Sequence, residues 1–342
     1  MNILLSGGGT LGSVSTLLAV ASALKKRGGE ICFVGTRLGP ERKLVMSRGI
    51  HYAYIVAPKF RRYVSLAHVL LPFQFIAGLV QSFVLLLMSR PGVIVSAGGY
   101  VSVPLVWIGW ILRIPSVIHQ QDVETGLASK LMKPFATRIT VAFKDSLKDF
   151  NEKKTTWIGN PTRNLKSITN DFLLEEGVPT VLITGGGTGA QAINDLMSEE
   201  LLQIAQVIHV TGEGKKGMDI RHPRYHKKEF LNDEMKEALA KATVVVSRAG
   251  LGTISELSKL GKASIIIPMP HTHQEKNAEM LQRHNAAIIL EQEGLTKEVF
   301  ASTIRELLRD RKYTRELEHN IKALSTEDAN SLFVETILSV VK

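Results

Sequence analysis

Three glycine clusters follow short apolar runs, and each precedes a stretch of helical pattern. They are Gly7, Gly8, Gly9 and Gly12 in ILLSGGGTLGSVSTLLAVASAL, Gly185, Gly186, Gly187 and Gly189 in VLITGGGTGAQAINDLM, and Gly250 and Gly252 in RAGLGTISEL. At the carboxyl end of a parallel strand, glycine lets the backbone approach a phosphate. The helix that follows offers unpaired N–H groups and the positive end of its dipole. One such loop also arises for steric reasons alone; three at strand ends point to a phosphate-bearing ligand. None is a Walker loop, because no Gly-Lys-Ser/Thr follows. Gly7-x-Gly9-x-x-Gly12 comes nearest to dinucleotide spacing, but the next strand, ICFVGTRLG, ends in Thr36 and Arg37 where a ribose-binding acid belongs. His271 and His273 lie two apart in a loop without a third ligand, so no metal site is expected and no cofactor is called for.

The elements that must position these loops alternate between short apolar runs and helical patterns, the mark of parallel sheets with crossover helices. Strands are expected at 3–6, 31–35, 52–56, 93–97, 116–119 and 139–142, and again at 180–184, 206–211, 226–230, 243–247, 264–268 and 287–290. The two series match in number and spacing, and each opens on a strand, a glycine cluster and a helix. That is an internal duplication of fold: two Rossmann-like, doubly wound α/β domains. The turn-forming Gly159-Asn160-Pro161-Thr162-Arg163 separates them. The expected domains are 1–162 and 163–327. A last helix at 328–342, with apolar Leu332, Phe333 and Ile337, either closes the second domain or crosses back onto the first.

Composition narrows the partners. The 342 residues are 44% hydrophobic and 22% charged, with a net charge of +10 that favours anionic partners. Aromatic content is only 6% and no basic run interleaves aromatics, so a nucleic-acid groove is not expected. The single cysteine, Cys32, lies in an apolar run and reads as a buried residue of a reducing compartment. The N-terminus lacks the charged region of a signal peptide. The stretch 64–88 is long and apolar and follows Lys59, Arg61 and Arg62. Pro72, His68, Gln74, Gln81 and Gly78 interrupt it, and a span there would break the series of sheet units. A helix pair is expected instead, partly packed on the sheet, with the 59–88 region resting on an anionic membrane surface. A fully buried core segment is the other reading.

Seven motifs carry a family resemblance: SGGGTLGSVSTLLAVASAL, AGGYVSVP, IPSVIHQQD, WIGNPTR, ITGGGTGAQAIN, SRAGLGTISEL and HTHQEKNA. Their order and spacing from about Ile3 to Leu290 resemble the MurG family, UDP-N-acetylglucosamine-dependent transferases that convert lipid I to lipid II in peptidoglycan synthesis. The resemblance implies a two-domain GT-B glycosyltransferase fold with a cleft between domains, inversion at the sugar C1, and peripheral attachment to the cytoplasmic face of the membrane. It implies a UDP-N-acetylglucosamine donor and a muramyl-peptide acceptor on polyprenyl diphosphate. By position, Phe230 and the Leu231 backbone would meet the uracil, and Glu256 would accept hydrogen bonds from the ribose hydroxyls. Thr10, Gly12, Arg163, Gly187, Thr188, Leu251, Gly252 and Thr253 would hold the diphosphate. Gln274 and Asn277 would read the sugar hydroxyls, with Asn194 nearby.

The chain departs from the family pattern at four positions. Ser13 stands where the family has histidine, and serine is no base near neutral pH. The family's His-Glu-Gln-Asn becomes His119-Gln120-Gln121-Asp122, and Gly187 replaces a serine. Asp122, with His119, is therefore the expected base for the acceptor hydroxyl; the competing reading is that Asp122 only caps the helix after it. Transfer to lipid I leads. Another lipid-linked acceptor, a UDP-sugar 2-epimerase and a catalytically silent relative stand as alternatives.

Overall fold

The computed structural model describes residues 1–8, 11–39, 41–58, 71–163, 165, 171–326 and 328–341. The chain divides into two compact units, one formed by Met1–Arg163 with Thr326–Lys342, the other by Asn164–Ser325.

In the first unit the order is β1 (Asn2–Ser6), α1 (Leu11–Lys26), β2 (Glu30–Gly35), α2 (Glu41–Met46), β3 (His51–Tyr54), α3 (Leu71–Ser89), β4 (Val93–Ser96), α4 (Ser102–Ile111), β5 (Ser116–Gln120), α5 (Leu127–Met132), β6 (Arg138–Val141) and β7 (Thr155–Trp157). The strands form one parallel sheet in the order β3-β2-β1-β4-β5-β6-β7. Because both faces are covered, the strands read as unbroken apolar runs rather than alternating ones. The period of two still assigns the faces. Ile3 and Leu5 pack with Val14, Leu17 and Leu24 of α1, whereas Leu4 packs with Val34, Ile94 and Ile118 beneath α4. The sequence reading omits β7: TTW is three residues long, lies at the sheet edge and has no apolar run to reveal it.

The second unit runs β8 (Thr180–Thr184), α6 (Gln191–Asn194), α7 (Glu199–Ile204), β9 (Gln206–Val210), β10 (Tyr225–Lys228), α8 (Glu234–Lys241), β11 (Val244–Ser247), α9 (Leu251–Leu260), β12 (Ser264–Ile266), α10 (Gln274–Arg283), β13 (Ile288–Ile289), α11 (Lys297–Arg309) and α12 (Arg311–Ala323). Its parallel sheet has the order β10-β9-β8-β11-β12-β13. In both sheets the first strand of the unit lies centrally and the connections run outward on either side of it. A ligand-binding crevice therefore opens at the carboxyl ends of β1 and β4 in one unit and of β8 and β11 in the other.

The terminal helix α13 (Ala329–Leu338) packs on the first unit. Asp328 caps it, its carboxylate accepting from the Ser331 N–H at 3.2 Å. Phe333, Val334 and Ile337 enter the core shared with α1, while Leu332 stays outside it. Asn330 reads the backbone of Thr162 as a strand would: Oδ1 accepts from the Thr162 N–H at 3.1 Å and Nδ2 donates to the Thr162 carbonyl at 2.9 Å.

Helix α3 is long and apolar enough to cross a membrane, and only 17% of its apolar window is buried. Phe73, Ile76, Val80, Phe83, Val84 and Leu87, at helical spacing, are all exposed. Yet α3 connects β3 to β4 of the same sheet, and Gly78 brings it so close that a Cβ there would lie 2.4 Å from the Val56 carbonyl. A helix clamped alongside its own sheet lies with it, so its apolar face points away from the unit. Lys59, Arg61, Arg62 and the first part of the expected helix pair, 64–70, fall outside the described residues.

All three tryptophans, Trp107, Trp110 and Trp157, belong to the first unit, so their fluorescence reports on it selectively. Phe333→Ala empties a fully buried site and should cost that unit about 3–5 kcal/mol. Urea unfolding followed by tryptophan emission measures this; an unchanged midpoint would remove α13 from the first unit's core.

Candidate functional site

At the crevice of the first sheet two backbones meet. Gly99, at φ +91°, follows β4, and a Cβ on it would lie 2.5 Å from the Gly8 carbonyl oxygen and 2.8 Å from the Gly8 nitrogen. The Ser102 hydroxyl donates to the Ser6 hydroxyl at 3.0 Å, tying the start of α4 to the end of β1. Ser13, in the first turn of α1, is buried beneath this loop, with its Oγ 3.4 Å from where a Gly7 Cβ would stand. Gly12 faces Gln121, whose Oε1 would be 3.8 Å from its Cβ. The Gln121 Nε2 is buried with no hydrogen-bond partner. Thr10 lies outside the described residues.

His119 is the last residue but one of β5 and is spent internally. Its Nε2 is 3.0 Å from Asn160 Oδ1 and its Nδ1 is 2.9 Å from Thr140 Oγ1. An amide oxygen only accepts, so Nε2 carries the proton and Nδ1 accepts from the threonine. Burial pulls its pKa down to about 4, against the opposing hydrogen bond to Asn160. His119 therefore corrects from candidate base to positioning group: with the Thr16 hydroxyl, which donates to the same Asn160 oxygen at 3.2 Å, it fixes the turn at 159–163. Arg163, half-buried, follows that turn.

Gln120 explains one of the departures. Its amide donates to the carbonyls of Asp122 at 2.8 Å and Glu124 at 3.1 Å, closing the loop that carries Asp122. A glutamate could not donate these bonds in its ionised form. Asp122 is half-buried, and the cap of α5 is Gly126, so Asp122 does not cap that helix.

The second unit has a loop of the same kind, made tighter. A Cβ on Gly185 would lie 2.0 Å from the Ala190 nitrogen, and one on Gly189, at φ +68°, 2.2 Å from the Thr211 carbonyl. Gly187 differs: nothing lies within 4 Å of its Cβ position, and it and Thr188 are exposed. Lys215 Nζ donates to the Thr188 carbonyl at 2.7 Å, which adds a cation to the loop. Thr253, in the first turn of α9, has its hydroxyl 4.0 Å from the Cβ position of Gly186. The cap of α9 is Gly250, with no capping side chain, and open space surrounds both Gly250 and Gly252. An uncapped helix N-terminus facing a glycine loop is an anion site. Leu251 is buried and anchors this turn, and Glu256 follows half-buried in the next turn.

Two expected sugar-binding amides turn inward. Asn194 is buried: Oδ1 lies 3.0 Å from His209 Nε2, and Nδ2 donates to the carbonyls of Thr211 and Lys216. Asn277 is fully buried and donates to the Ala249 carbonyl at 3.1 Å, propping the turn before α9. Both shape the loops from below. Gln274 stays half-exposed at the start of α10, its Oε1 accepting from the Met269 N–H at 3.1 Å. Phe230 is exposed and Leu231 buried, just after β10 and two strands from β8.

Sequence reasoning missed Arg248. Its guanidinium is buried, donating to the carbonyls of Ile267 and Pro268 and to Gln292, with Nε left over. Desolvation lowers its pKa. A charge at the end of the apolar VVVS run was the available signal.

Comparison with known proteins follows this division. Residues 3–141 match the glycosyltransferase family 28 N-terminal domain and residues 180–333 the family 28 C-terminal domain. A UDP-N-acetylglucosamine–N-acetylmuramyl-(pentapeptide) pyrophosphoryl-undecaprenol N-acetylglucosamine transferase of Lachnospira eligens is 34% identical, over 90% of this chain and 91% of its own. The transferase of that name from Listeria monocytogenes is 32% identical over the whole of both chains. The chain belongs to this family, the MurG transferases. The fold agrees: the crystal structure of Acinetobacter baumannii MurG superposes with a TM-score of 0.79 over 99% of each chain, at 22% identity. A UDP-N-acetylglucosamine 2-epimerase from Neisseria meningitidis shares the MurG architecture at a TM-score of 0.68 and 12% identity, which is a likeness of fold alone.

Two measurements follow. Gly187→Ser restores the MurG hydroxyl at a position with room for it and should fold normally and tighten UDP binding roughly tenfold, read by calorimetry. Gly189→Ala should instead destroy binding. His119 is ordinarily near 6.5 when unfolded and about 4 when folded. Its stabilising contribution is therefore full above pH 6.5 and is lost as the pH falls towards 4, by roughly 3 kcal/mol. Tryptophan-monitored unfolding should show this pH-dependent loss shrinking by that amount in His119→Gln.

Proposed function

We propose that the protein moves N-acetylglucosamine from UDP-N-acetylglucosamine to the C4 hydroxyl of undecaprenyl-diphospho-N-acetylmuramyl-pentapeptide, with inversion. The observation that carries this reading is the uncapped N-terminus of α9 beside the Gly186–Gly189 loop, in a chain of the MurG family. Those N–H groups, with the Leu251–Thr253 turn, receive the diphosphate and stabilise it as UDP departs. Glu256 accepts from the ribose hydroxyls, Phe230 and Leu231 meet the uracil, and Gln274 reads the sugar. Asn194 and Asn277 act from beneath, holding the loops in shape.

In the first unit, Asp122 takes the proton of the attacking hydroxyl as the new bond to C1 forms and the bond to UDP breaks. Ser13 supplies a hydrogen-bond donor under the first loop, and His119 holds the turn. The exposed apolar face of α3 supports docking on the cytoplasmic face of an anionic membrane, where a polyprenyl-linked acceptor resides. The altered 120–122 loop favours one second reading: the same chemistry on another lipid-linked glycan.

Purified protein should release UDP from UDP-N-acetylglucosamine only when a short-chain lipid I analogue is present. Release independent of acceptor would refute transfer, and release only with a different polyprenyl-linked glycan would select the second reading. Asp122→Asn should lower kcat about 10²–10⁴-fold with the donor KM unchanged; retained turnover would end its assignment as base. In vesicle flotation the protein should rise with anionic vesicles, and binding to none would remove the membrane role of α3.

A further inference from the structure

A buried guanidinium remains that the reaction above does not use. Arg248 follows the apolar strand β11 and is only 6% exposed. Its Nη1 donates to the carbonyls of Ile267 at 3.1 Å and Pro268 at 3.0 Å, in the loop after β12. Its Nη2 donates to Gln292 Oε1 at 2.5 Å, beyond β13. All its partners among the described residues are neutral. Burying a cation without a carboxylate is costly. In return, one rigid fork fastens the ends of three neighbouring strands to each other.

The loop that Arg248 grips carries Gln274. The Met269 N–H, next after Pro268, lies 3.1 Å from the Gln274 Oε1. A backbone N–H only donates, so the atom facing it is the amide oxygen and the orientation of the amide is settled. Nε2 makes no hydrogen bond among the described residues and is the atom left for a ligand. Thr272 closes the same loop: its hydroxyl donates to the Met269 carbonyl at 2.8 Å and accepts from the Gln274 N–H at 3.2 Å. One turn further along α10, Asn277 donates to the Ala249 carbonyl at 3.1 Å. The segment around Gln274 is therefore fastened at both ends, to residue 248 before it and to residue 249 after it. Both belong to the turn that enters the uncapped N-terminus of α9.

We propose that Arg248 is a positioning residue for the donor sugar: by holding the Ile267 and Pro268 carbonyls it sets Gln274 beside the diphosphate-binding turn, with the amide N–H, and not the amide oxygen, offered to an oxygen atom of the sugar. This rests on the reading that α9 receives the diphosphate and Gln274 meets the sugar. Arg248 then acts on the sugar's share of the affinity alone. The nucleoside diphosphate uses the α9 turn, which Asn277 still props when Arg248 is changed.

The test is calorimetry of the full chain with UDP and with UDP-N-acetylglucosamine. A lysine ammonium cannot span three acceptors in two loops. Arg248→Lys should therefore weaken UDP-N-acetylglucosamine roughly three- to tenfold, with UDP within about twofold. Gln274→Met should show the same selective loss, and the Arg248→Lys/Gln274→Met pair should be no weaker than Gln274→Met alone. Gln274→Glu keeps an oxygen for the Met269 N–H but has no N–H of its own, so it should lose at least as much as Gln274→Met. Should Arg248→Lys fail to fold, Gln292→Ala, which removes one of the three acceptors, takes its place and should give the same selective loss at roughly two- to fivefold. Equal weakening of both ligands, multiplying losses in the pair, or full UDP-N-acetylglucosamine affinity in Gln274→Glu would overturn the proposal while leaving the transferase reading intact. An unsubstituted protein that binds neither ligand would instead defeat the donor-site reading, and the inference with it.

Discussion

Each unit rests on an approach between backbones that only glycine permits. In the first it is Gly99 against Gly8; in the second it is Gly189 against Thr211 and Gly212, where a Cβ on Gly212 would lie 2.6 Å from the Gly189 Cα. These contacts sit where a sheet's connections diverge, at the only edge that helix N-termini face. If the loops stood an ångström or two higher, the N–H groups of the following helices would be screened by their own turns. The apolar strands below, closed on both faces, supply the rigidity that keeps the loops this close.

The same scaffold yields opposite electrostatics in the two halves. Beside the first loop lies the carboxylate of Glu41; over the second reaches the ammonium of Lys215. A diphosphate gains from free N–H groups, a helix dipole and a nearby cation, and loses from a buried anion. The two halves of the duplication therefore differ in what stands beside the first glycine loop of each, an acid in one and a lysine in the other.

Much of this was legible in the sequence. Parallel strands buried on both sides announce themselves as apolar runs, and the glycine clusters mark where they end. The edge strand Thr155–Trp157 was not legible, because nothing in three residues distinguishes it from a turn. Nor was the inward rotation of Asn194 and Asn277: an amide beside a ligand and an amide propping a carbonyl have the same letter, and only burial tells them apart. Glu41 escaped for a related reason, since a charged residue opening a short helix reads as a surface group until three flanking glycines are seen to make room for it.

The proton transfer gathers these points. A histidine sealed between Thr140 and Asn160, with its pKa near 4, has neither a free lone pair nor the basicity to take a proton from a sugar hydroxyl at neutral pH. Ser13 is buried under the first loop, and a serine hydroxyl lacks the basicity of a base. Asp122 is the carboxylate on the loop that follows β5, and the Gln120 amide fixes that loop by donating to its carbonyls. The Gln120 amide thus shapes the loop that carries Asp122, a role that an ionised glutamate at that position could not fill.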